Sequence, residues 1–268
     1  MNVEHLEKAY LVLEMIENPT FYEGKLWVHI LYLINKSMNE NVQVLEEKML
    51  DFKEYIEMWI HEAKLPISSL LLRMHNQKDR RWIEELKRME DIVEQVLYYT
   101  RSENATKDYF IKEVSLDKII KSVALKNKDY LLENKIDLQV LNVHFKVFTD
   151  SKWLEFILNQ IVNNSIKYRR EEGQSYIQME AKEENDRVIL SILDNGIGIL
   201  ASDISKVFDK SFTGQNGRIK AKATGMGLFI AKKMCQKLGH VITIESKKNV
   251  YTKVYITFSK NKFYEVIH

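Results

Sequence analysis

A chain of 268 residues, 45% hydrophobic and 29% charged, is long enough for two domains and has ample core material for a soluble protein. Its net charge of +2 gives no electrostatic ground for a nucleic-acid or membrane-surface partner. The single cysteine, Cys235, excludes a disulfide framework and a cysteine-based zinc site, so a reducing interior is the default compartment.

Residues 1 to 36 are helix-like, with breaks expected at Asn18-Pro19 and near Gly24. Their longest apolar run, Leu26 to Ile34, is interrupted by His29 and is too short to span a bilayer. From Leu31 a heptad begins. Leu31, Met38, Leu45, Phe52 and Trp59 form one series, and Val42, Met49, Ile56, Ala63 and Leu70 interleave with it as the seam of a helical bundle. Trp82, Met89 and Val96 repeat the pattern against Leu86, Val93 and Thr100. The polar stretch Asn76-Gln77-Lys78-Asp79 between the two runs predicts a turn and an antiparallel hairpin. Two helices alone leave Ile60, Ile83, Ile92 and Leu97 exposed, and a homodimeric four-helix bundle would bury them.

Ser102 to Thr106 reads as a linker, and the pattern then changes. Strands are expected at Ile136 to Leu141, Phe145 to Thr149, around Ile177, Met179 and Ala181, at Val188 to Leu193, and around Val254, Ile256 and Phe258. Helices are expected at Leu116 to Leu132, Ser151 to Arg169 and Met226 to Leu238. The fold class is therefore α+β: a helical hairpin, then an α/β sandwich with helices on one face of an antiparallel or mixed sheet.

Most of the glycines fall between Gly196 and Gly227. The stretch opens Asp194-Asn195-Gly196-Ile197-Gly198 after an apolar strand and closes Thr224-Gly225-Met226-Gly227-Leu228 at a helix start. A helix N-terminus suits a phosphate. Asp194, with no cation near it in sequence, suits an exocyclic amino group such as adenine's. A lone G-x-G reads as readily as an ordinary turn; two of them with Asp194 point to a nucleotide. On the helix from Ser151, Gln160, Asn164, Lys167 and Tyr168 form one polar stripe. Such a stripe is often a solvated face, but an amide, an ammonium and a phenol beside a glycine-rich loop also suit a metal-bound nucleotide. The Asn164 carbonyl can coordinate Mg²⁺, which takes few protein ligands.

One histidine stands apart. In Trp59-Ile60-His61-Glu62-Ala63-Lys64-Leu65-Pro66, His61 falls on the outside of the heptad with a carboxylate next to it. Imidazole becomes a strong nucleophile when its other nitrogen is held by a base. Pro66 predicts a kink just after it. The other histidines (His5, His29, His75, His144, His240 and His268) have no such neighbourhood.

Together these stretches resemble sensor histidine kinases. His61 to Pro66 is similar to their H box, Gln160 to Tyr168 to the N box, Asp194 to Ile199 to the G1 box, Phe208 to Phe212 to the F box and Gly225 to Leu228 to the G2 box. All five occur in the family's order. The wording around His61 further resembles the intramembrane-sensing kinases of Gram-positive bacteria that answer peptide antibiotics such as bacitracin. The resemblance implies a membrane-proximal or linker segment at 1–36, a dimerisation and histidine phosphotransfer domain at 37–105, and a GHKL-type catalytic ATP-binding domain at 113–268. It implies that His61 takes the γ-phosphoryl group of ATP with Glu62 as acid/base partner, and that Asn164 holds Mg²⁺. Lys167, Tyr168, Asp194, Gly196, Gly198, Ile199, Phe208, Phe212, Thr224, Gly225, Met226, Gly227 and Leu228 would bind ATP, with Ser211 to Ala223 as a mobile lid. The implied partners are a second copy of the chain, the receiver domain of a response regulator, and a peptide-antibiotic ABC transporter. The implied location is the cytoplasmic face of the cell membrane, with two transmembrane helices upstream.

Two departures stand out. Gln160 replaces a common asparagine, and Leu65 replaces the Thr or Asn that orients a water for dephosphorylating the regulator. A chaperone- or mismatch-repair-type ATPase would lack the H box. A pseudokinase scaffold docking a regulator would not need His61, Asn164, Asp194 and both glycine turns intact.

Overall fold

A computed structural model of the chain describes residues 19–77, 79–103, 109–214 and 224–259. Of the expected linker at 102–106, Ser102 and Glu103 instead continue a helix; residues 104–106 and lid residues 215–223, with Gln215, Asn216 and Gly217, lie outside the described residues, as do His5, His268 and the Asn18 side of the first break. The chain forms two compact units, Met1–Leu72 and Arg73–His268.

In the first unit, α1 (Tyr22–Gln77) is one helix of 56 residues, whose last turn crosses into the second unit. It starts behind Pro19 and runs unbroken through Gly24, where a break was expected. The Lys25 N–H already closes a helical turn on the Phe21 carbonyl at 3.2 Å. The bare Gly24 Cα also leaves room for Pro19 and the Phe21 ring, each 2.7 Å from where a Cβ would stand. The helix also continues through the exposed Pro66.

Of the two predicted heptad series, Ile56 and Ala63 of the second are half-buried, while the first is displaced by one position. Phe52 and Trp59 are exposed, whereas Lys53, Ile60 and Ile67 are buried. One residue along a helix is about 100° around its axis, so the buried side lies beside the series through Phe52 and Trp59. Ile60 and Leu97, expected to need a second chain, are already buried in this one; Ile92 stays exposed. An apolar stripe through Met38, Leu45, Phe52 and Trp59 is left facing outward.

The second unit opens with α2 (Arg80–Glu103), behind Asp79, whose carboxylate accepts from the Trp82 N–H. A two-stranded antiparallel sheet follows from β1 (Lys112–Ser115) and β3 (Lys146–Thr149). The main sheet has the order β2-β4-β5-β7-β6, from β2 (Ile136–Leu141), β4 (Ser175–Glu184), β5 (Arg187–Asp194), β6 (Val241–Lys247) and β7 (Tyr251–Ser259). β2 and β4 are parallel and the other neighbours antiparallel, so the sheet is mixed.

Register aligns one buried face. Met179, Ile192 and Val254 form one row across β4, β5 and β7, and Ala181, Leu190 and Ile256 the next. Side chains alternate across a strand, so this face is apolar while its reverse is half-exposed. The buried face belongs to one core with α3 (Leu116–Lys126), α5 (Ser151–Lys167) and α7 (Gly227–Lys237), the short α6 (Ala201–Ile204) lying between the last two along the chain. The helix expected as one piece from Leu116 is two, α3 and α4 (Lys128–Glu133), joined at the buried Asn127. The Asn127 amide donates to the Val123 carbonyl at 2.8 Å and to Asn159 Oδ1 at 2.7 Å, which fixes the break against α5.

Candidate active site

The site is built where α5 faces the end of β5. Asp150 starts α5 by accepting from the Lys152 and Trp153 N–H groups, satisfying donors that a helix start leaves free. Leu154, Ile157, Leu158 and Ile161 then anchor the helix in the core. This orientation leaves Asn164, Lys167 and Tyr168 half-buried along one cavity of about 380 Å³. Gln160, expected on the same polar stripe, also lines this cavity but is buried, and its Oε1 accepts from Gln95 of α2 at 3.3 Å.

Asp194 ends β5 on the helix-facing side, paired with Ile177 and Thr252 across the sheet. Its Oδ1 accepts the Gly196 N–H at 3.0 Å and its Oδ2 the Ser165 hydroxyl at 2.8 Å. Burial pushes this carboxyl above the ordinary carboxylate range, and the two donors oppose that rise. Beyond it the chain is pinned to its surroundings. Ile197 N–H donates to the Tyr168 carbonyl at 2.9 Å, and Asn249 N–H to the Ile197 carbonyl at 2.7 Å. The Arg170 guanidinium donates to the carbonyls of Gly196, Asn249 and Val250. Gly198 lies at φ +63°, and a Cβ there would stand 2.2 Å from the Lys247 carbonyl oxygen. Only glycine fits this turn.

The second glycine turn has the same logic. Gly225 sits at φ +66°, with the Ser211–Phe212 backbone 2.5 to 2.8 Å from a would-be Cβ. Thr224 Oγ1 receives the Met226 N–H at 3.3 Å and donates to Gln95 Oε1 at 3.1 Å. α7 then begins at Gly227, and the first N–H groups of a helix have no intrahelical acceptor.

The cavity collects most of the predicted nucleotide residues. Asn164, Lys167, Tyr168 and Asp194 line it from α5 and β5; Gly198 and Ile199 from the first turn; Phe212, Thr224, Gly225, Gly227 and Leu228 from the second. Three do not line it. Gly196 holds Asp194 through its N–H, Phe208 packs against the core beneath the Lys232 ammonium at 5.4 Å, and Met226 is also packed against the core. His61 and Glu62 belong to the first unit, both exposed on α1.

Sequence patterns did not single out several wall residues. Arg88, Asp91, Ile92 and Gln95 of α2 line the cavity. Burial first, and the Glu94 carboxylate second, push Asp91 up to about 6. Ile92 stands out in the sequence only as an apolar flank, and nothing in the periodicity of α2 marks the other three. Ser165 did carry a signal: a hydroxyl on an otherwise apolar helix face. For a metal, the fit is to a nucleotide-borne ion. The described residues hold no cluster of three or more His, Cys, Asp or Glu, and the Asn164 amide is the kind of single oxygen donor that Mg²⁺ uses when phosphates and water supply the rest.

Residues 149–262 match the family described as histidine kinase-, DNA gyrase B- and HSP90-like ATPases. The chain is 28% identical over 242 residues to the sensor histidine kinase YxdK of Bacillus subtilis, covering 88% of this chain and 72% of that protein. It is 25% identical over 236 residues to the sensor histidine kinase GraS of Staphylococcus haemolyticus, covering 85% and 68%. The sensor protein BceS of Bacillus subtilis matches at 27% over 220 residues, covering 80% and 65%. These matches support a two-component histidine kinase. Among solved structures, the fold of this kinase is similar to the histidine kinase AdeS of Acinetobacter baumannii, with a TM-score of 0.54, 19% identity, and 75% and 98% of the two chains covered. It is also similar to full-length ShkA in complex with AMPPNP, with a TM-score of 0.57, 18% identity, and 76% and 45% covered. The kinase is an ATP-binding transferase of a two-component system. No helix among its described residues is long and apolar enough to cross a membrane.

Proposed function

We propose that this histidine kinase phosphorylates itself on His61 from ATP held in the cavity of the second unit, and passes the phosphoryl group to an aspartate of a response regulator. The observation that carries this is the convergence of Asn164, Lys167, Asp194 and both glycine turns on a single cavity. In this reading the Asp194 carboxylate accepts from the adenine amino group, Lys167 and the free N–H groups opening α7 hold phosphates, and Tyr168 borders the base. Asn164 would hold Mg²⁺, which when bound neutralises charge developing on the transferred group. A ring nitrogen of His61 attacks the γ-phosphorus with its lone pair, the bond from phosphorus to the bridging oxygen breaks, and ADP leaves. The proton on the other ring nitrogen passes to Glu62. In the second step a carboxylate oxygen of the regulator attacks phosphorus, the P–N bond breaks, and the imidazole regains a proton.

The exposed stripe on α1 supports homodimerisation through that helix. The His61 to Pro66 wording supports a role in sensing peptide antibiotics at the cytoplasmic face of the membrane, beside an ABC transporter. The test separates chemistry from binding. With labelled ATP, His61→Gln should lose stable labelling and keep ATP affinity within about twofold, since the two sites share no residue. Asn164→Ala should lose Mg²⁺-dependent binding by about tenfold or more. Strong labelling of His61→Gln, or wild-type binding by Asn164→Ala, would contradict the assignment.

A further inference from the structure

Ser165 is buried on the core face of α5, one residue after Asn164. Its Oγ stands 2.8 Å from Asp194 Oδ2 and 3.2 Å from the Ile161 carbonyl oxygen. A hydroxyl has one hydrogen to give. The Ile161 carbonyl already faces the helical N–H four residues on. The shorter bond, to an ionised carboxylate, is also the stronger, so the hydrogen goes to Asp194. The other oxygen of Asp194 receives the Gly196 N–H at 3.0 Å. Each carboxylate oxygen therefore has a donor within the fold, and the carboxylate plane is set before any ligand arrives.

We propose that Ser165 is a positioning residue that holds Asp194 as an oriented acceptor and thereby lets the site distinguish a 6-amino purine from a 6-oxo purine. The inference rests on Asp194 as the base-reading residue. An amino group at the purine 6-position donates to the carboxylate; a carbonyl oxygen at the same place presents lone pairs to it. A carboxylate tied at both oxygens cannot rotate away from that repulsion. The bond from Ser165 also favours the charged form and so opposes the rise that burial brings. Without the hydroxyl, a buried Asp194 could turn, or take a proton and donate to a 6-oxo group. Discrimination would then fall while the pocket kept its shape.

The test is equilibrium binding of ATP and of inosine 5′-triphosphate, both with Mg²⁺, to the full chain and to variants confirmed as folded by thermal unfolding. Ser165→Ala should reduce the ATP-to-ITP affinity ratio by about tenfold, the loss of one charge-assisted hydrogen bond. Ser165→Thr, which keeps the hydroxyl, should hold the ratio within about twofold of wild type. Ser165→Cys nearly keeps the volume but is a weak donor, so it should behave like Ser165→Ala and serves if the alanine variant does not fold. An unchanged ratio in Ser165→Ala, an equal loss for both nucleotides, or a folded Ser165→Thr without discrimination would each overturn the proposal. Asp194→Asn separates the two levels. If it retains the wild-type ratio, Asp194 is not the base reader; if it loses the ratio while Ser165→Ala keeps it, only the role of Ser165 falls.

Discussion

At the scale of single residues, the candidate cavity is lined by groups whose ionisation is coupled to the fold. Asp91 on α2 is the sharpest case. A free aspartate titrates near 3.8, and burial beside Glu94 moves this one to about 6, against the opposing Lys126 and Lys87. The folded state holds its proton more tightly than the unfolded state does. The stability contributed by the protonated acid is thus complete below about pH 4 and is lost as pH rises toward about 6. Asp91→Asn should therefore stabilise the protein at about pH 7.5, by about 1–2 kcal/mol once solvent screening is allowed for, and give no gain near pH 4. Thermal unfolding at the two pH values checks this. A variant no more stable than its parent at the higher pH would show that Asp91 ionises there without cost.

At the scale of elements, α1 carries two seams side by side. The buried one uses Lys53, Ile60 and Ile67, and the exposed one keeps Met38, Leu45, Phe52 and Trp59 outward. An exposed apolar stripe of this length needs a partner. Phe52→Glu places a charge in its middle and should shift the chain toward monomer in sedimentation or light scattering. An unchanged dimer would move the interface elsewhere. The one-position offset also explains what was legible in the sequence. Both seams repeat every seven residues, so periodicity reveals the helix without telling which stripe its own chain buries. α5 and β4, β5 and β7 were legible because their apolar residues keep the helical or strand period without interruption. β1 was not, since Lys112 and Glu113 are exposed and four residues are too few for a pattern. β6 hid because its first residue, Val241, is exposed, so the alternation starts late. The division between α3 and α4 depends on the bond from Asn127 to Asn159, a tertiary contact that no local pattern encodes.

At the scale of the whole molecule, the candidate site divides in the same way. The residues that contiguous motifs bring together (Asn164 with Lys167, Asp194 with Gly198, Gly225 with Gly227) could be recognised in order along the chain. Gln95 could not, because it reaches Gln160 across 65 residues of sequence and Thr224 across 129. In the proposed reaction His61 receives the phosphoryl group of ATP, so the decisive question is where the phosphoryl group ends up. The direct measurement is incubation of the full chain with γ-labelled ATP and Mg²⁺, followed by treatment of the labelled protein with acid and with alkali. A phosphoryl group on His61 predicts a label lost in acid, retained in alkali, and absent from His61→Gln. A label that survives acid and is lost in alkali, or one that persists in His61→Gln, would contradict the account.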